Sequence, residues 1–98
     1  MKHFAVIYSY APDSEQIVTL RPEHREFLGR LLDEGKLVGS GPYTDGHGGA
    51  LIIIRLEEPA TIADVEELMD GDPFHRENAL AARRIREWNP VLNIFPEA

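Results

Sequence analysis

The groups in this chain that are equipped to move protons are four histidines and seventeen carboxylates, and no cysteine accompanies them. Thiolate nucleophiles, iron–sulfur clusters and thiol-based zinc sites are therefore excluded. The four histidines, His3, His24, His47 and His75, show no HxH, HxxxH or HExxH spacing, so the pattern argues against a metal centre. Gly39-Ser40-Gly41 is followed by Thr44 where a dinucleotide fingerprint needs glycine, and Ser40 lies in no Gly-x-Ser-x-Gly elbow. Gly35-Lys36 lacks the flanking residues of a phosphate loop. What remains is acid–base chemistry by imidazole and carboxylate.

His24 precedes Phe27, Leu28 and Leu31 by three, four and seven residues, which places it on the apolar stripe of a helix. With Pro22 read as the first helical position, His24 falls in the first turn. Partial burial and the positive end of the helix dipole then both favour the neutral ring near pH 7. A neutral imidazole in a half-dry pocket suits a general base, and the same position suits a packed histidine bonded to a backbone carbonyl. Asp72 has two compatible roles. It precedes Pro73, as an N-cap does, and one carboxylate oxygen can cap while the other orients a histidine.

The elements that must position these groups follow from hydrophobic spacing. His3 to Ser9 predicts a strand, with a polar loop to about Leu20. A helix runs from Pro22 through Phe27, Leu28, Leu31 and Leu32 to a stop at Gly35. Leu37–Tyr43 and Ala50–Leu56 predict two strands joined by a glycine-rich hairpin carrying Asp45-Gly46. Thr61 with Asp64 forms a capping pair for a helix over residues 62–70, and Asp72-Pro73 opens a short further helix. A last strand runs from about Arg84 to Trp88, and an interruption at Pro90, marking an edge strand or a bulge, precedes its continuation over Val91–Phe95.

The order strand, helix, strand, strand, helix, strand predicts an α+β fold: the ferredoxin-like βαββαβ split sheet, a single domain with both helices on one face. If the first strand runs upward, the start of the first helix, the hairpin after Pro42 and the Gly71-Asp72-Pro73 corner all lie at the upper end. His24, Asp72, His47 and His75 thus converge there, and His3 lies at the far end. The unbroken apolar run Leu51-Ile52-Ile53-Ile54 is that of a strand covered on both faces. Two helices cover one face only, so the expected cover for the other is a second copy, giving a homodimer packed sheet to sheet.

A net charge of −7 lacks the basic surface that nucleic acid or an anionic membrane requires, and Arg83, Arg84 and Arg86 lie within a predicted strand. The apolar run after Met1-Lys2-His3 is too short for a signal peptide or membrane span, so the expected setting is cytoplasmic.

Arg21-Pro22-Glu23-His24, Leu32-Asp33-Glu34-Gly35-Lys36-Leu37, Gly41-Pro42, Gly71-Asp72-Pro73-Phe74 and Glu87-Trp88-Asn89-Pro90, in that order, resemble the YciI-like (YCII-related) family across nearly the whole chain. The resemblance implies a ferredoxin-like fold paired into a dimeric α+β barrel. It also implies a site centred on a histidine and an aspartate, here His24 and Asp72. Arg21, Ser40, Gly41, Pro42, His47 and Phe74 are expected to border it as substrate-binding residues, with Arg21 suited to hold an anionic group. A few relatives are implied to be dehydrochlorinases or to resemble muconolactone isomerases. The functional expectation is a small cofactor-free lyase or isomerase acting on a small organic substrate. The alternative is a non-catalytic small-molecule-binding or dimeric structural domain.

Overall fold

The computed structural model describes residues 1–95. Four strands, β1 (Lys2–Ser9), β2 (Leu37–Pro42), β3 (Ala50–Leu56) and β4 (Ala82–Trp88), form one sheet in the order β2-β3-β1-β4. All three pairings are antiparallel. The helices are α1 (Glu15–Asp33), α2 (Ile62–Met69) and α3 (Pro73–Arg76). This is the ferredoxin-like α+β arrangement expected from the element order.

Side-chain alternation sets the two faces of the sheet. Phe4, Val6 and Tyr8 of β1 and Ile52 and Ile54 of β3 point to the helices and are buried, packing with Ile17, Leu28 and Leu31 of α1, Val65 and Met69 of α2, and Phe74. The opposite face carries Ala5, Ile7, Leu51 and Ile53, joined through the register by Gly39 and Gly41 of β2 and by Arg84 and Arg86 of β4. Among the described residues nothing covers that face: Ile7 and Ile53 are half-buried, and Leu51 is 37% exposed. The apolar run of β3 thus has one face in the core and the other open.

The first helix corrects the expected boundary. It begins at Glu15, a full two turns before Pro22, with Ser14 as N-cap accepting from the Ile17 N–H at 3.2 Å. The reason is burial: Ile17 is 1% exposed and starts a stripe that continues through His24, Phe27, Leu28 and Leu31. Pro22 is tolerated inside the helix because it lies on the solvent side. The carbonyl it leaves without a helical donor belongs to Val18, which is itself exposed, so water can serve it. His24 is therefore well inside α1 and not at the positive end of the helix dipole, which corrects its expected place in the first turn.

Other local signals are realised as read. Gly35 ends α1 with φ +76°, and Thr61 and Asp64 form a full capping box on α2. Asp72 caps α3, with Pro73 as its first residue. No strand resumes after Pro90 among the described residues. Instead Phe95 stacks on the ring of His3 at 6.1 Å and meets Trp88 edge-on. Tertiary packing by one aromatic residue replaces the expected continuation of β4. Among the described residues no helix is long and apolar enough to cross a membrane.

Candidate functional site

The site gathers at the end of the sheet where β1 finishes and β3 begins. Tyr8 is the last inward-facing residue of β1 and pairs with Ala50 on one side and Arg83 on the other. The hairpin closes tightly over this end: Gly48 has φ +79°, and a Cβ there would collide with the Tyr10 carbonyl. The α1 stripe turns His24 toward the same end, and the corner after α2 brings Asp72 beneath it.

Asp72 is completely buried and accepts from three donors. Its Oδ2 accepts the Tyr8 hydroxyl at 2.7 Å, and its Oδ1 accepts the Phe74 N–H at 3.1 Å. His24 Nδ1 lies 2.9 Å from both oxygens. An ionised carboxylate is retained in an apolar interior only when donors replace the lost water, and here every donor is supplied by a different element. Facing a carboxylate, Nδ1 carries the proton, and in the neutral ring Nε2 is then the basic nitrogen. Phe74 fixes the plane of the imidazole by stacking on it at 3.9 Å with an interplanar angle of 6°. The Tyr8 hydroxyl is held far above the usual phenol range, first by burial and then by the charge of Asp72, so it stays protonated and serves as a donor.

His24 lines a cavity of about 270 Å³ together with Tyr10, Arg21, Arg25, Ser40, Pro42 and Phe74. Gly41 also borders it, and Leu28, Ala50 and Ile52 form an apolar wall. The arrangement places one oriented, basic nitrogen beside a small, partly apolar space. Chemically it can accept a proton at Nε2 and stabilise the resulting charge through Asp72.

Of the eight residues expected at the site, seven are brought together. Asp72 holds His24 from behind, and Arg21, Ser40, Gly41, Pro42 and Phe74 line the same cavity as His24. His47 is not among them. Its N–H bonds the Asp45 carboxylate at 3.2 Å, a local turn that keeps the residue on the exposed hairpin tip. His75 turns away to Asp70 at 3.3 Å, an acid also paired with Arg83 at 2.9 Å. Tyr8, Tyr10 and Arg25 were not anticipated. The signal for Tyr8 was present in the strand alternation, which ends its inward row at the rim where His24 and Asp72 converge. The signal for Arg25 was its place one turn after Arg21.

His3 lies at the far end of the sheet, as expected. It is 6% exposed, edge-on to Trp88, and its Nε2 has no hydrogen-bond partner among the described residues. Burial first, then the positive charges of Arg55 and the N-terminus, lower its pKa from the ordinary value of 6.5. Below about pH 6.5 the unfolded chain therefore binds a proton that the folded chain refuses, so stability should fall as pH drops through that value. Thermal unfolding followed from neutral into mildly acid solution should show this fall in the wild type. A weaker fall is expected in His3→Phe, which keeps the ring packing; identical profiles would count against the assignment.

Comparisons with known proteins agree with this architecture. The 5-chloro-2-hydroxyhydroquinone dehydrochlorinase of Burkholderia phenoliruptrix AC1100, solved in complex with 2,5-dihydroxybenzoquinone, superposes with a TM-score of 0.71. The match covers 89% of this chain and 93% of that one at 23% sequence identity, a likeness of fold. A search of curated proteins finds no match. The sequence model of the YCII-related domain matches residues 1–89, nearly the whole chain. The chain belongs to the YCII-related domain family.

Proposed function

We propose that the protein is a small enzyme of the lyase or isomerase type that moves a proton on a small organic substrate without a cofactor. His24 Nε2 is the base. Asp72 is the positioning residue that fixes the ring's tautomer and stabilises its charged form. The observation that carries this reading is the contact of a fully buried carboxylate with His24 Nδ1 at 2.9 Å, in a side chain that also lines a cavity. A histidine packed only for structure does not need a buried charge behind it, because a backbone carbonyl would serve. The dehydrochlorinase with the same fold supplies a precedent for elimination chemistry on this scaffold.

The reaction would run in two steps at one nitrogen. His24 Nε2 takes a proton from carbon or oxygen of the substrate while Asp72 balances the imidazolium that forms. The proton then returns to another atom in an isomerase, or remains on the ring while a leaving anion departs in a lyase. The direct test offers the protein chlorinated hydroxyhydroquinones and small unsaturated lactones, following chloride release and C–H to C–D exchange in heavy water. Turnover of at least one class is expected with the wild type, and its loss with His24→Gln. Equal rates in the two proteins would remove His24 from the mechanism.

We also propose that the open sheet face is covered by a second copy. Ile7, Leu51 and Ile53 form an apolar strip there, and the opposing glycines at 39 and 41 leave room for close approach. Sedimentation equilibrium should report twice the chain mass, and Leu51→Glu should halve it. A wild-type monomer at micromolar concentration would refute the pairing.

A further inference from the structure

The cavity beside His24 has a charge that no described residue neutralises. Arg21 and Arg25 stand one turn apart on α1 and both line it. Neither makes an ion pair or hydrogen bond to any described residue. The contrast with other cations is direct: Lys2 pairs with Glu87 at 3.0 Å, Lys36 with Glu34 at 3.0 Å, Arg30 with Glu26 at 3.4 Å and Arg83 with Asp70 at 2.9 Å. Arg76, Arg84 and Arg86 also lack carboxylate partners among the described residues and, like Arg25, are exposed, but they line no part of this cavity.

In a chain with seventeen acids and ten bases, leaving two neighbouring arginines without partners among the described residues goes against the overall balance. Two guanidinium groups a helical turn apart repel each other unless an anion lies between them. The wall below them is apolar, with Leu28, Ala50, Ile52 and Pro42, and the reacting imidazole is part of the same lining. We infer that the natural substrate is a small organic anion, a carboxylate or an equivalent oxyanion on an apolar body, whose charge is held between Arg21 and Arg25. Its body lies against the aliphatic wall, which brings a proton-bearing atom to His24. The cavity volume of about 270 Å³ limits that body to roughly the size of a single ring. This deepens the reading above and rests on its choice of cavity.

Benzoate and its neutral isostere benzamide separate charge from shape. Titrated into the full chain and followed by NMR, benzoate should shift the ring signals of His24 and bind about tenfold or more tightly than benzamide, the difference that one charge-assisted contact makes. Added salt should weaken benzoate and leave benzamide unchanged. The double variant Arg21→Gln/Arg25→Gln, which leaves the His24–Asp72 contact in place, should remove the preference. Equal binding of the two probes, a preference that survives in the double variant, or no benzoate binding at millimolar concentration would each overturn the inference. The outcomes are distinguishable from failure of the catalytic reading. Arginine-dependent benzoate binding with no His24-dependent turnover keeps the anion site and discards the mechanism. Turnover of neutral substrates as readily as charged ones does the reverse.

Discussion

Asp72→Ala should destabilise the protein by about 3–5 kcal/mol, a large share of the roughly 5–15 kcal/mol that holds a small domain together. The size follows from what the carboxylate serves. It is 0% exposed and accepts from the Tyr8 hydroxyl, the His24 ring and the Phe74 N–H. Removing it leaves three buried donors, each costing about 1–3 kcal/mol when unpaired. One of those donors is the helix cap, whose loss is worth about 1 kcal/mol by itself. Two effects limit the total: a buried charge disappears along with its desolvation cost, and water can enter the space left behind. Chemical unfolding should report a lower midpoint at unchanged slope, and thermal unfolding a fall of at least about 15 °C. Tyr8→Phe is the control. It removes one donor and leaves the acceptor with two others, so a cost of about 1 kcal/mol is expected. If Asp72→Ala unfolds within 1 kcal/mol of the wild type, the carboxylate is not the hub that the geometry describes.

The elements and the gathering of His24 and Asp72 at one end of the sheet were legible from residue spacing, while their pairing was implied by the family resemblance. Apolar spacing fixes which way His24 faces, Asp72-Pro73 marks a helix start, and the crossover rule carries the two to one end of the sheet. The start of α1 was not legible because Pro22 is ambiguous. Proline suits a first turn, yet a solvent-facing proline can also lie within a helix whose inner stripe is anchored further back, here by Ile17. The fate of Val91–Phe95 was hidden for a different reason. An aromatic packing on a distant ring leaves no periodic trace, and Phe95 on His3 is such a contact. His47 shows the limit of topology: a loop can be assigned to the correct end of a sheet while a local turn keeps one of its residues on the exposed tip. Tyr8 is the opposite case. Its inward direction was readable, but its bond to Asp72 depends on how far a phenol reaches across the core.

Asp72→Asn is expected to leave the fold largely intact and reduce turnover by about 10²- to 10⁴-fold, the usual span for a misplaced acid–base group. Asparagine matches aspartate in size and remains a good cap, so its Oδ1 can continue to accept from the Phe74 N–H. The change lies in the other half of the group. Where Oδ2 lies 2.9 Å from His24 Nδ1 and accepts from the Tyr8 hydroxyl, an amide nitrogen presents donors. The expected outcome is that Nδ1 accepts from this amide although Oδ1 stays within reach, so the ring proton moves to Nε2 and the nitrogen proposed to act as base is occupied. The charge that would stabilise the imidazolium is also gone. The tautomer can be read without any substrate from nitrogen chemical shifts of the His24 ring: protonated Nδ1 in the wild type, protonated Nε2 in Asp72→Asn. Tyr8→Phe keeps the carboxylate in contact with the ring, so it should keep the wild-type tautomer and lose less than about tenfold in turnover. This ordering separates a carboxylate that sets the ring's protonation from one that only fills a gap. In the second case the two variants would lose activity in proportion to lost stability, and the ring would carry its proton on the same nitrogen in all three proteins.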